Sequence, residues 1–190
     1  MALLLFLAGF PLLLAAQVSE DLTAREKLGY HLRAMARPTN WAAAFAGAGI
    51  SQARDTPQGW PQGMEGYARR VGGIQGYMAA QNVFAFTLDS TLRMDPRFRP
   101  STRRGFWPRV KSAALQTLIA RTDSGRSVFN YWQVGSHMGA GLLANTWNPD
   151  GNNHWGDGLE RGMIGLGYSA ASNVFREFWP DIRRKVFKRH

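Results

Sequence analysis

Gly76-Tyr77-Met78-Ala79-Ala80-Gln81-Asn82-Val83-Phe84 decides how this chain is organised, because the stretch returns as Gly167-Tyr168-Ser169-Ala170-Ala171-Ser172-Asn173-Val174-Phe175. Seven of the nine positions are identical, whereas unrelated stretches of ordinary composition share about one or none. A weaker match lies upstream, where Gly47-Ala48-Gly49 returns as Gly139-Ala140-Gly141. We interpret the pattern as an internal duplication.

Helical signals occur in the same order on both sides of a basic linker at residues 97–105. The first half predicts helices at residues 20–35, 41–53 and 64–94, the first of which has a Thr-x-x-Glu capping box at Thr23 and Glu26. The second half predicts helices at residues 106–120, 128–146 and 159–187, with turns at 121–126 and 148–156. No stretch alternates like a half-buried strand, so we expect little or no sheet.

The resulting prediction is an all-α, internally duplicated bundle of about three helices per half, related by a pseudo-twofold axis. The first repeat is residues 17–96, the second is residues 106–190, and the two share one core. Glycine, alanine and serine recur at four-residue spacing, as at Gly72, Gly76 and Ala80, which predicts close helix packing. We expect the two copies of the repeated stretch to meet near the axis. Their buried residues would be Val83, Phe84, Val174 and Phe175, and Gly76 and Gly167 would lie in close contact.

The N-terminus predicts export. Residues 3–16 are apolar and uncharged, and a polar segment follows them. This run is short for a bilayer span, which needs about 20 residues, and is typical of a signal peptide. We therefore interpret residues 1–16 as a signal peptide or N-terminal anchor, and expect the protein in the periplasm or at an envelope membrane. The absence of cysteine agrees with export but does not decide it.

The chain of 190 residues has a formal charge of +10, and the excess is concentrated in two places. Such clusters suit phosphates, whether of anionic lipid, of an envelope polymer or of nucleic acid. For an exported protein we favour lipid or polymer over nucleic acid, and the alternative is a solvated helix end with cations near its negative pole. The residues predicted to contact an anionic surface are Arg97, Arg99, Arg103, Arg104, Arg183, Arg184, Lys185 and Lys188.

Three polar residues are candidates for a ligand-binding site. Asn82 and Asn173 occupy equivalent positions in the repeat, so a pseudo-twofold axis can bring the two amides together. His137 lies in the small-residue helix of the second half. The alternative for the asparagines is a polar clamp that fixes helix register, and the alternative for His137 is a hydrogen-bonded core residue.

Catalytic and metal-binding patterns are weak. Ser124 and Ser136 lie outside any Gly-x-Ser-x-Gly elbow. No two histidines have i,i+3 or i,i+4 spacing and none has a carboxylate positioned beside it, so the sequence supports no metal and no cofactor. Phe-Trp-Pro occurs at residues 106–108 and 178–180, which suggests aromatic anchors in the core or at a membrane interface.

These patterns favour a non-catalytic, structural or membrane-associated protein of the cell envelope. One alternative is an enzyme whose pocket lies at the seam of the two repeats, around His137 and Asn82 or Asn173. Another is an integral membrane protein built from helical hairpins, which the small-residue spacing allows. The mean hydropathy of −0.28 favours a soluble or surface-bound bundle over that second alternative.

Overall fold

The computed structural model describes residues 21–187. The predicted signal segment at residues 1–16 and Lys188 lie outside the described residues. The described chain is mostly helical with little sheet, which confirms the prediction of an all-α fold.

The first half contains three helices close to their predicted positions. Helix α1 is Ala24–Met35, α2 is Pro38–Ala53 and α3 is Gly63–Thr91. The predicted capping box is present, with Thr23 N donating to Glu26 Oε2 at 2.8 Å and Glu26 N donating to Thr23 Oγ1 at 3.3 Å. Helix α2 begins at Pro38, a position where the missing N–H of proline has no helical partner to lose.

The second half departs from the prediction at a β-hairpin. Strand β1 is Met94–Asp95, helix α4 is Phe106–Leu115, strand β2 is Ile119–Thr122 and strand β3 is Ser127–Phe129. The three strands form an antiparallel sheet in the order β1-β2-β3. The predicted helix at 106–120 was therefore too long, and the predicted turn at 121–126 is the centre of a hairpin. Gly125, with a φ of 84°, supplies the left-handed residue of the hairpin turn.

Two longer helices complete the chain. Helix α5 is Tyr131–Leu143, followed by a 3-10 turn at Ala144–Thr146, and α6 is Trp155–Phe187. Asn130 caps α5 by accepting from Gln133 N at 3.1 Å, which is why this helix begins later than the predicted residue 128. Helix α6 continues past Pro180 to its end. Within residues 21–187, no helix combines the length and the apolar character needed to cross a membrane.

Helix α5 lies at the centre of the bundle and packs against both α3 and α6. Helices α1 and α2 pack on α3, and α4 packs on α6. The two Phe-Trp-Pro copies meet at the α4–α6 contact, where the rings of Phe106 and Phe178 lie 5.1 Å apart. The residues after each copy form an ion pair, with Arg109 Nη1 2.7 Å from Asp181 Oδ2.

Glycines bring α5 and α6 into backbone contact. A Cβ on Gly141 would lie 2.1 Å from the Gly158 carbonyl oxygen, and one on Gly162 would lie 2.9 Å from the His137 carbonyl oxygen. The expectation that Gly76 and Gly167 lie in close contact was wrong. A Cβ on Gly167 would meet nothing within 4 Å, and one on Gly76 would make only ordinary contact with Trp147, because the α5–α6 contact uses an earlier part of α6.

Many large apolar side chains are exposed, and the buried side chains are mainly small or polar. Lys27, Arg70, Asp89 and Glu177 are each at most 2% exposed. Twenty-five large hydrophobic side chains of the described residues are exposed, whereas the buried hydrophobic residues are mostly alanine. Val83 and Phe175, which were expected in the core, are 61% and 54% exposed. These two residues point away from the neighbouring helices, so the expectation of burial was wrong.

Candidate functional site

His137 lies in a chain of hydrogen bonds that crosses three helices. Its Nδ1 is 2.8 Å from the hydroxyl of Tyr77 on α3, and its Nε2 is 2.8 Å from Ser169 Oγ on α6. A glycine on α6 makes room for the Tyr77–His137 pair. A Cβ on Gly165 would lie 2.1 Å from the Tyr77 hydroxyl oxygen and 2.5 Å from His137 Nδ1.

Burial sets the protonation states of His137 and Tyr77. It lowers the pKa of His137 to about 4, and it raises the pKa of Tyr77. The imidazole is therefore neutral near pH 7 and carries one N–H donor and one acceptor nitrogen, which matches two hydroxyl partners. A general base works best with a pKa near the working pH. With a pKa near 4 and no carboxylate on either ring nitrogen, His137 is better suited to holding hydrogen bonds than to removing protons.

Asn82 belongs to a second buried polar group, on the α1–α3 contact. His31 Nδ1 lies 3.2 Å from Asn82 Oδ1, and His31 Nε2 lies 2.7 Å from Asp89 Oδ2. The Asn82 amide is oriented by its donation to the Met78 carbonyl oxygen at 2.8 Å. The expectation that no histidine has a carboxylate beside it was therefore wrong, because folding brings together residues 58 positions apart.

The charged side chains around His31 have their partners within the same buried group. Burial raises the pKa of Asp89, while the hydrogen bond and charge of His31 and the charge of Lys27 oppose that rise. Lys27 donates to Asp123 Oδ2 at 2.9 Å and to the Asp89 carbonyl oxygen at 3.0 Å. Asp89 and Lys27 therefore each have a hydrogen-bond partner of opposite or polar character, which makes their burial tolerable.

Asn173 is bonded elsewhere. Its Nδ2 donates to Thr117 Oγ1 at 3.3 Å, in the segment between α4 and β2. Among the described residues no hydrogen bond joins Asn82 to Asn173, or either of them to His137. All three nevertheless line one open groove, which has a volume of about 2260 Å³ and which His31, Tyr77 and Ser169 also line.

The predicted basic residues fall into two groups. Arg97 and Arg99 are exposed and each donates to Asp95 at 2.8 Å. Burial raises the pKa of Asp95, but the hydrogen bonds from these two arginines outweigh it and leave the pKa below its usual range. The other described members are exposed at the surface, and they are Arg103, Arg104, Arg183, Arg184 and Lys185.

Several buried ionic residues escaped the sequence analysis. Glu177 is buried and accepts from Arg109 Nε at 2.7 Å. Arg70 donates to the Thr56 carbonyl oxygen at 2.8 Å and to the Pro61 carbonyl oxygen at 2.9 Å. One usable signal was present for α1, since Lys27 and His31 lie one turn apart on the same face. No group of three or more histidine, cysteine, aspartate or glutamate side chains among residues 21–187 is placed to hold a metal ion.

Comparison with protein-family models, with curated proteins and with solved structures returns no match.

Proposed function

We propose that this chain is an exported, non-catalytic protein of the cell envelope whose helical bundle lies in a lipid surface. The observation that carries the proposal is the exposure of many large apolar side chains around a core of small and polar residues. Among residues 21–187, the large apolar side chains of the core are Met94, Trp132 and Leu166. Burying one such side chain contributes about 1.5–3 kcal/mol, so the bundle has much to gain from a lipid or protein cover.

The way the helices pack supports the same proposal. Lipid gives no hydrophobic drive for helix association, and membrane helices therefore approach closely through small residues. Helices α5 and α6 do this at Gly141, Gly158 and Gly162. Buried polar groups then hold the bundle together internally, as His137 does between Tyr77 and Ser169.

The charge of the protein favours anionic lipid. A formal charge of +10 and the exposed arginines on the linker and near the end of α6 suit an anionic membrane surface or envelope polymer. Exposed aromatic residues suit the interface, where an apolar ring and a polar edge are both accommodated. Trp107 and Trp155 are 75% and 74% exposed.

We further propose that the two halves descend from one duplicated unit. One pair of matched contacts supports this. Asn82 bonds to His31 of α1, and its counterpart Asn173 bonds to Thr117, just after α4.

Vesicle flotation with the full chain tests the lipid proposal. We expect the protein to float with phosphatidylcholine vesicles, and to float more completely when phosphatidylglycerol is included. High salt should remove the second increment, because it screens exposed charges beyond a few ångströms. Equal and negligible binding to both kinds of vesicle would exclude the lipid surface.

An enzyme is the second candidate, and one observation favours it: Ser169 Oγ is hydrogen-bonded to His137 Nε2. A hydroxyl beside an imidazole is the arrangement of a serine nucleophile and its base. The low pKa of His137 argues against an efficient base. Covalent labelling with a fluorophosphonate decides the point, since a nucleophilic Ser169 would be labelled and the Ser169→Ala and His137→Gln variants would not.

A further inference from the structure

An unpartnered apolar stripe runs along α6. Ile164, Tyr168, Phe175 and Trp179 are between 44% and 70% exposed. At about 100° per residue they lie within roughly 60° of arc, and at 1.5 Å per residue they extend over about 22 Å. All four line the open groove. One wall of the groove is therefore a continuous apolar surface.

Small side chains widen the same groove. Ala43 and Ala46 of α2 also line it, and larger side chains at these two positions would narrow it. Its volume of about 2260 Å³ is larger than the roughly 300–1,000 Å³ of pockets for ordinary small molecules. The groove therefore has room for a ligand longer than an ordinary small molecule.

Cations lie along this groove. Arg103, Lys111 and Arg176 line it, and none of these side chains has a hydrogen bond or ion pair with another of the described residues. The linker is held beside α6 because Ser101 N donates to Glu177 Oε2 at 2.8 Å, next to Arg176. Helix α4, which carries Lys111, packs on α6 through Phe106 and Arg109. Arginine and lysine of this kind bind phosphate through charge-assisted hydrogen bonds.

We propose that the groove binds one anionic phospholipid, with an acyl chain along the α6 stripe and the phosphate at Arg103, Lys111 and Arg176. The complementarity is twofold, since an apolar wall faces the chain and unpaired cations face the headgroup. This inference rests on the proposed function, because it takes a lipid surface as the source of the ligand. To the proposed function it adds a defined site that binds one lipid molecule per protein.

Calorimetry with short-chain lipid tests the site separately from the membrane. The probe is dioctanoyl phosphatidylglycerol below its micellar concentration, titrated into the full chain. Dioctanoyl phosphatidylcholine and inorganic phosphate serve as comparisons. We expect saturable one-to-one binding of the phosphatidylglycerol, and binding at least about tenfold weaker for each comparison, because each lacks the net charge or the chain.

Variants locate the two parts of the site. Arg103→Gln combined with Arg176→Gln should weaken binding of the phosphatidylglycerol by about tenfold or more. Phe175→Ser should weaken it through the stripe without changing the charge. The matched control is Arg33→Gln, an exposed residue outside the groove, which should leave binding unchanged. Circular dichroism verifies that each variant is folded.

The outcomes separate this site from the proposed function. Flotation with vesicles but no binding of the monomeric lipid would overturn the groove site and leave the lipid surface standing. Failure of both would remove both proposals. Inorganic phosphate binding as tightly as the lipid would show an anion site and overturn the lipid assignment. An equal loss in the Arg33→Gln control would show that overall charge, and not the groove, binds the lipid.

Discussion

At His137, burial and two hydroxyl partners hold the imidazole neutral, which makes stability depend on pH. The pKa is lowered from 6.5 to about 4 in the fold, and the unfolded chain titrates near 6.5. The unfolded state therefore binds more protons between these values. The contribution is fully present above about pH 6.5, is lost as the pH falls through about 4, and amounts to roughly 3 kcal/mol.

Urea unfolding from pH 4 to pH 7 measures that dependence. His137→Gln removes the titrating group, so the free energy of unfolding of this variant should fall less steeply towards acid than that of the natural protein. The difference between the two curves isolates His137 from the carboxylates that titrate in the same range. Parallel curves would contradict a buried neutral histidine.

Gly165 is the residue that lets Tyr77 reach His137. We expect Gly165→Ala to lower the free energy of unfolding by about 1–3 kcal/mol, since a Cβ would overlap both side chains and force them apart. Gly167→Ala is the matched control on the same helix, where a Cβ meets nothing within 4 Å. It should be neutral, or stabilising by up to about 1 kcal/mol. Equal thermal midpoints for the two variants would refute the role of Gly165.

At the scale of elements, α1 is attached to α3 through buried charges. Removing one partner of a buried pair costs about 3–5 kcal/mol, because the other is left uncompensated. His31→Gln and Asp89→Asn should each destabilise by that amount, and the double variant should cost clearly less than their sum. The exposed pair Arg69–Glu65 is the control, with an expected coupling of about 0.3–0.5 kcal/mol. Strict additivity at His31 and Asp89 would contradict the attachment.

The α5–α6 contact depends on the absence of side chains. Gly141→Ala should separate the two helices and cost several kcal/mol, because the added Cβ would strike backbone that cannot rotate away. Gly72→Ala, on α3 with nothing within 4 Å, is the helical control and should not destabilise. Denaturant midpoints compare the two. A smaller loss for Gly141→Ala than for Gly165→Ala would contradict this account of the packing.

These elements also show what sequence can predict. The six helices were placed because each has apolar periodicity, a cap or a bounding proline, all of which are local signals. The hairpin was missed because β2 and β3 are only four and three residues long. Strands this short do not show a recognisable alternation of apolar and polar residues. His137, Asn82 and Asn173 were selected as site candidates from their residue types and their positions in the sequence. The bond from His31 to Asp89 was not, because no local pattern joins residues 58 positions apart.

The glycines illustrate the same limit. Spacing predicted that small residues mediate helix contacts, but it could not identify the face of α6 that meets α5. That face carries Gly158 and Gly162, whereas the repeated stretch contributes Tyr168 and Phe175 to the exposed stripe. Which residues form a helix contact therefore depends on how whole helices are arranged, and the sequence of one helix does not specify that arrangement.

At the scale of the whole molecule, the exposure of large apolar side chains predicts which of them meet lipid. Trp107 and Trp155 are about three-quarters exposed, whereas Trp132 is 8% exposed and packs in the core with Ala85 and Met94. Each of three variants retains one of these tryptophans and has phenylalanine at every other tryptophan of the chain, so that the three positions are reported separately. In vesicles of brominated phosphatidylcholine and phosphatidylglycerol, we expect strong quenching of Trp107 and Trp155 and weak quenching of Trp132. Bromine quenches only over short distances, so the pattern distinguishes surface insertion from adsorption by charge alone. If the protein floats with the vesicles while all three tryptophans keep their fluorescence, the apolar exterior is covered by something other than lipid.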